Sequence, residues 1–276
     1  MRKSLLIILV LGILGFGIYK GNTTVGTTFY DVTFDRLPAS FDSYKIVQLS
    51  DLHDAKFGER HEGVVDEVLA LAPDAIFITG DFIDSNRYNL AQSLVLVEEL
   101  ENVAPIYYVT GNHEVSTNET DYIKEVLENL NVRVLSDEAE LITSKSGETI
   151  AIGGIEDPLS STLEDEDAVE ISVASAFENI PEETFKILLS HRPEQFEVYA
   201  RNGVDITFSG HAHGGQFRLP GLGGLISPGQ GWFPKLTSGV HNKDGSSLIV
   251  SRGLGNSSMP VRIFNNPEIV VVTLRK

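Results

Sequence analysis

The sequence predicts an α/β protein: layered mixed β-sheets flanked by helices, preceded by an N-terminal hydrophobic helix. Three observations predict it. Short, nearly continuous apolar runs alternate with helical patterns, as in strands covered on both faces. The later strands come with fewer helices, which argues for a mixed sheet or two stacked sheets. The chain has 276 residues, 42% hydrophobic and 22% charged, the make-up of an ordinary globular protein long enough to bury a real core.

At the start, Met1-Arg2-Lys3 precedes an uncharged, mostly apolar run of 16 residues, Ser4 to Tyr19, and Lys20 follows it. As a helix this run spans roughly 24 Å, a little short of a ~30 Å hydrocarbon core. A cleaved signal peptide wants small residues at its cleavage site, and here the run leads into Tyr19-Lys20-Gly21-Asn22. Residues 1–20 are therefore expected to be a retained signal-anchor, with a cleaved signal peptide and a secreted product as the alternative. Cations tend to stay on the cytoplasmic side, so Arg2 and Lys3 ahead of the run place the long remainder on the extracytoplasmic face of the cell membrane. Residues 21–43 read as a linker and an early strand around Thr28–Phe34, and residues 44–276 as one domain.

From Tyr44 onward strands are expected at Lys45–Leu49, Ala75–Thr79, Ile106–Thr110, Thr149–Gly153, Phe185–Leu189, Asp205–Phe208, Ser247–Val250 and Ile269–Leu274. Helical patterns sit at His61–Leu71, Leu90–Glu101, Thr120–Leu130 and Pro193–Arg201, the last with Gly203 as a stop signal. The acidic stretch Glu156–Glu183 and the Gly/Pro-rich stretch Gly214–Gly231 stand apart. No internal repeat is present.

Composition excludes several functions. With no cysteine there is no thiolate metal site, iron–sulfur cluster or thiol nucleophile. The chain carries 21 Lys+Arg against 39 Asp+Glu, a net charge of −18. Residues 1–20 hold three of those cations and no acid, so the remainder carries −21. Binding duplex phosphates takes clustered Lys and Arg, so no nucleic-acid partner is expected. No obligate protein partner is implied either. A phosphate-containing substrate stays open if metal ions supply the positive charge.

The informative residues lie just after the strands. In order come Ser50-Asp51-Leu52-His53, Gly80-Asp81-Phe82-Ile83-Asp84, Gly111-Asn112-His113-Glu114, Ser190-His191 and Gly210-His211-Ala212-His213. Five of the seven histidines lie in these segments. In α/β sheets ligands bind at the carboxyl ends of strands, where side chains distant in sequence converge. Each motif alone is an ordinary loop, turn or cap. All five in this order, each at a strand end, point to a metal site. Oxygen and imidazole donors without thiolate suit Mn²⁺, Fe or Zn²⁺.

This ordered set resembles the calcineurin-like metallophosphoesterase superfamily over roughly Tyr44 to the C-terminus. Gly210-His211-Ala212-His213-Gly214-Gly215-Gln216 resembles its bacterial membrane-associated branch, some of whose members cleave the pyrophosphate of UDP-2,3-diacylglucosamine. The resemblance implies a calcineurin-like metallophosphoesterase fold and two divalent metal ions. Asp51, His53, Asp81 and His213 would hold one, and Asp81, Asn112, His191 and His211 the other, with Asp81 bridging. It further implies a metal-bridged hydroxide attacking phosphorus, the two ions lying about 3.5–4 Å apart. His113 would be the non-ligand histidine that serves the leaving group, with Asp84 orienting it. Protein phosphatases carry Arg after the second Asp of this motif, whereas here it is Ser85, which disfavours a phosphoprotein substrate. The expected activity is hydrolysis of a phosphodiester or phosphomonoester by a membrane-associated enzyme. A nucleotide-sugar lipid pyrophosphatase is the alternative, and a non-catalytic metal-binding scaffold a more distant one.

Other residues carry weaker expectations. Arg252 is a candidate to reach a substrate phosphate, or else to form a structural ion pair. Glu114 is expected to brace its loop, His61 to lie on the surface, and His241 has no assigned role. Gly214–Gly231, followed by Trp232, should line the mouth of the site. It either packs on its own core or meets lipid or an apolar leaving group. Glu164–Glu170 reads as a solvated face.

Overall fold

The computed structural model describes residues 12, 15–219, 221–256, 259 and 261–276. The signal-anchor expected at 1–20 lies largely outside them. Among the described residues no helix is long and apolar enough to cross a membrane. What is described there is helical at 15–23.

The chain then lays down β1 (Gly26–Thr33), β2 (Lys45–Leu49), α1 (Glu62–Leu71), β3 (Ala75–Thr79), α2 (Leu90–Leu100) and β4 (Ile106–Val109). The one-turn α3 (Asn112–Val115), α4 (Thr120–Asn129) and β5 (Arg133–Val134) follow. A second run begins with β6 (Glu138–Thr143) and β7 (Thr149–Gly154), then α5 (Asp165–Ala176), β8 (Phe185–Leu189), α6 (Phe196–Arg201) and β9 (Ile206–Ser209). Two small hairpins come next, β10 (Arg218–Leu219) with β11 (Gly223–Gly224), and β12 (Ile226–Ser227) with β13 (Gly231–Trp232). The chain ends in β14 (Gly239–Lys243), β15 (Ser246–Val250) and β16 (Glu268–Arg275).

Two six-stranded sheets result, in the orders β1-β16-β2-β3-β4-β5 and β14-β15-β9-β8-β7-β6. Both are mixed: β2 through β5 run parallel while β16 is antiparallel to β2, and β7, β8, β9 and β15 run parallel while β6 and β14 pair antiparallel.

Alternation decides the layers. In β2, Ile46 faces one side and Val47 and Leu49 the other; in β3, Phe77 faces with Ile46, and Ile76 and Ile78 with Val47. One set, with Phe185, Ile187, Phe208 and Ile249 of the second sheet, forms the core between the sheets. The opposite set packs under α1, α2 and α4. The outer face of the second sheet packs under α5 and α6 through Val169, Val173, Phe196 and Tyr199. The architecture is thus helix, sheet, sheet, helix. Each fully buried Val, Leu, Ile or Phe in these layers contributes about 1.5–3 kcal/mol relative to exposure.

One expectation needs correction here. His61 is fully buried rather than on the surface; it precedes α1, and its Nε2 lies 3.0 Å from the Gln92 carbonyl oxygen. The solvated acidic face belongs to α5, where Glu166 and Glu170 both pair with Arg201.

Candidate metal centre

Strands β2, β3, β4, β8 and β9 carry Asp51, Asp81, Asn112, His191 and His211 just beyond their carboxyl ends. Three of these strands belong to one sheet and two to the other, so the site straddles the sandwich. The backbone there is unusual. Asp51, His53, Asp81, His211 and His213 all have φ between 46° and 63°, the left-handed region that non-glycine residues rarely adopt. Such conformations persist only where the surroundings hold them, and they cluster at functional sites.

Gly80 shows how tightly the strand ends are drawn together. Its φ is +85°, and a Cβ there would lie 2.6 Å from His191 Nδ1 and 2.8 Å from the Gly111 nitrogen. Glu114 is buried behind them and accepts N–H bonds from Gly111, Asp81 and Ile83 at 2.6, 3.0 and 3.0 Å. It braces the β3 and β4 loops, and burial beside Asp81 raises its carboxyl to about 7.

The donors converge in two groups. Asp51, His53, Asp81 and His213 each offer an atom within 4.8 Å of the others, and so do Asp81, His191 and His211. Asp81 belongs to both. Its Oδ1 accepts the His113 backbone N–H at 2.8 Å, which leaves Oδ2 facing His53 Nε2 at 3.6 Å and His191 Nε2 at 3.2 Å. Asp51 Oδ1 lies 3.2 Å from His213 Nε2. His191 Nδ1 donates to the Thr79 carbonyl at 2.8 Å, which turns Nε2 toward Asp81; metal-ligating histidines are held in this way.

The residues fit divalent cations. The Nε2 atoms of His53 and His213 face each other at 3.0 Å, and burial lowers both rings to about 3, so both are neutral. His211 is held well below its ordinary value by burial and by the nearby His191. Burial alone would lower His191, but the Asp81 carboxylate raises it to about 10. Asn112 Oδ1 is buried with no hydrogen-bond partner. A buried acceptor without a donor is costly, and a cation beside it removes that cost.

His113 stands at the edge of this centre, its ring 4.5 Å from that of His53. Its Nδ1 accepts the Ser85 backbone N–H at 3.0 Å. Asp84 Oδ1 is 3.6 Å from the same nitrogen, and Asp84 is itself gripped by the Arg87 guanidinium and the Asn86 N–H. His53, Asp84 and His113 form a third group of converging donors.

Arg252 is not at the centre. Its guanidinium pairs with Glu268 at 2.8 Å, because β16 brings that carboxylate beside the loop after β15. Two other arginines are there instead. Arg262 is fully buried, with Nη2 3.2 Å from His213 Nδ1, and burial lowers it to about 10. Arg192 Nη1 lies 3.2 Å from His211 Nε2, while Asp157 holds the guanidinium by two bonds of 2.6 and 2.9 Å. Sequence reasoning missed all three residues. Arg192 directly follows His191, and Asp157 follows β7 as the other donors follow their strands, so both had a signal. Arg262, in an irregular loop, had none.

Fold and site together define a phosphoesterase. The family model for calcineurin-like phosphoesterases matches residues 44–215, and the chain belongs to that family. It is a hydrolase acting on phosphoric esters, and its family uses divalent metals. The chain is 28% identical over 265 residues to "Uncharacterized metallophosphoesterase YkuE" of Bacillus subtilis (strain 168), covering 95% of this chain and 89% of that one. It is 27% identical over 286 residues to "Transmembrane protein with metallophosphoesterase domain" of Bos taurus, covering 100% of this chain and 63% of the relative. With "Phosphodiesterase YaeI" of Escherichia coli (strain K12) it shares 26% identity over 238 residues, 84% of this chain and 82% of the relative.

Proposed function

We propose that the protein is a membrane-associated phosphodiesterase that works with two divalent ions. The observation that carries the reading is the position of Asp81, whose one free carboxylate oxygen faces both donor groups. Asp51, His53, Asp81 and His213 would hold one ion, and Asp81, Asn112, His191 and His211 the other. Bound there, divalent ions would polarise the phosphoryl oxygens and make water a competent nucleophile near neutral pH. The chain's own groups do the rest. Because the Ser85 N–H occupies Nδ1 of His113, the neutral ring carries its proton on Nε2, suited to the leaving oxygen. Asp84 keeps negative charge beside that ring, and Arg192 and Arg262 add positive charge around the donors.

A phosphodiester rather than a monoester is favoured by the name of the Escherichia coli relative, and membrane association by that of the Bos taurus relative together with the apolar run Ser4 to Tyr19. Retention of that run is supported by the missing small-residue cleavage pattern at Tyr19-Lys20-Gly21-Asn22, and outward placement of the body by Arg2 and Lys3. A lipid-linked nucleotide-sugar pyrophosphate would use the same donors and is the second substrate to assay.

The test uses the full chain in mild detergent with Mn²⁺, Fe²⁺ or Zn²⁺. It should cleave bis-p-nitrophenyl phosphate, hold two ions by elemental analysis, and lose activity as Asn112→Ala or His211→Ala. One ion at full activity would overturn the dinuclear reading, and no turnover with any metal would favour a scaffold.

A further inference from the structure

The segment from Ile206 to Pro267 differs in charge from the rest of the molecule. The chain holds 39 acids, yet Asp244 is the single one in this stretch, against Arg218, Lys235, Lys243, Arg252 and Arg262. Two loops of this segment interlock beside the metal centre. Phe217 bridges to Ile263, the Arg218 N–H donates to the Ile263 carbonyl at 3.0 Å, and the Gln216 amide donates to the Met259 and Val261 carbonyls.

These loops turn their largest apolar side chains outward. Leu222 is 71% exposed, Trp232 68% and Phe264 73%, and Leu219, Phe233 and Met259 are exposed with them. A soluble protein rarely groups such residues without a partner for them. Between the loops lies a cavity of about 410 Å³ whose walls include Ile226, Pro228 and Met259 and whose lining reaches Ala212 and His213 of the centre.

The helix at 15–23 joins the body at the same place. Asn22 closes the helix at 15–23, and its side chain exchanges hydrogen bonds with the Arg262 backbone at 2.7 and 2.9 Å. Arg262 immediately precedes Ile263 and Phe264 of the exposed rim. Phe16 and Tyr19, on that helix, are each 63% exposed.

We propose that this rim is a docking surface for a lipid bilayer, and that the cavity takes the hydrocarbon part of an amphiphilic phosphoester lying in that bilayer. Three facts select a bilayer over another occupant. The rim adjoins the helix at 15–23, which carries the exposed Phe16 and Tyr19. The segment has shed the acids that would be repelled by anionic headgroups. Its exposed residues combine an aromatic pair, Trp232 and Phe233, with aliphatic tips, as interfacial segments do. The cavity then joins the lipid side to the donor side. The choice of substrate rests on the phosphodiesterase reading; the docking itself does not.

Trp232 is the only tryptophan, so its emission reports the rim alone. The full chain is reconstituted in vesicles of phosphatidylcholine and phosphatidylglycerol, with or without brominated acyl chains. Docking predicts blue-shifted Trp232 emission that brominated lipid quenches, and loss of that quenching in Leu222→Asp/Phe264→Asp. Unquenched, water-like emission overturns the proposal, because the body then stands off the membrane. Blue-shifted emission that brominated lipid leaves untouched also overturns it, because a second copy of the chain then covers the rim. In a second arm, p-nitrophenyl phosphodiesters bearing a methyl or a dodecyl group are compared. The cavity predicts kcat/KM at least about tenfold higher for the long chain. Equal values overturn the cavity assignment, and turnover of neither ester overturns the phosphodiesterase reading while the quenching result stands.

Discussion

The backbone N–H of Ser85 donates to Nδ1 of His113 across 3.0 Å. This contact fixes which ring nitrogen carries the proton, and a backbone donor cannot rotate away. We therefore expect His113→Ala to keep its metal while kcat falls by about 10²–10⁴, the usual contribution of a positioned acid. Elemental analysis of the purified variant checks the first half and steady-state kinetics the second. Loss of metal would make His113 a ligand, in the group it forms with His53 and Asp84.

Metal binding should release a proton from His191. In the metal-free protein this ring is raised to about 10, despite its burial, by the Asp81 carboxylate 3.2 Å away. At pH 7 it is therefore an imidazolium, and a cation can take Nε2 only after that proton leaves. The sign follows: affinity rises with pH up to about 10 and then levels off. Calorimetry of Mn²⁺ binding at pH 7 in two buffers of different ionisation enthalpy should show about one proton released. His53 and His213, already neutral, add none. Heats that do not depend on the buffer would sink this account.

Gly80→Ala should destabilise the fold by about 1–3 kcal/mol, because alanine at φ +85° is strained and its Cβ meets His191 and Gly111. Urea unfolding of the metal-free protein measures this directly. An unchanged midpoint would mean that the β3 and β4 loops are looser than described.

Phe77→Ala addresses the seam between the sheets. The ring is fully buried and meets Phe208 of the opposite sheet edge-on at 5.0 Å, and Tyr107 at 5.6 Å. Its removal leaves a cavity that neither sheet can close alone, at about 3–5 kcal/mol. A loss under 1 kcal/mol, on the order of a surface change, would mean that the sheets slide together to fill it.

The strand ends were legible in the sequence for a simple reason. Runs such as Ala75–Ile78 are apolar throughout, so the polar cluster that follows marks where the chain leaves the core. Asp81 and Asn112 announce themselves in this way. Their partnership does not, since nothing local says that Asp81 Oδ2 faces His191 across 3.2 Å. Arg252 and Arg262 make the same point in reverse. Both sit in the polar loop before β16, and only the packing sends one to Glu268 and the other to His213. His61 was misjudged because it precedes a helix whose polar face could have held it; a bond to Gln92 on α2 draws it inside.

The position of β16 bears on how the protein is made. This strand is last in the chain, yet it lies between β1 and β2, pairing with β1 over eight positions from Gly26↔Glu268 to Thr33↔Arg275. A ribosome that has released everything up to Asn266 has therefore produced a first sheet split in two, with β1 unmatched. Closing it requires segments some 240 residues apart to meet, a slow step for any chain. The first sheet thus stays unsealed until β16 has been made, long after β1 and β2.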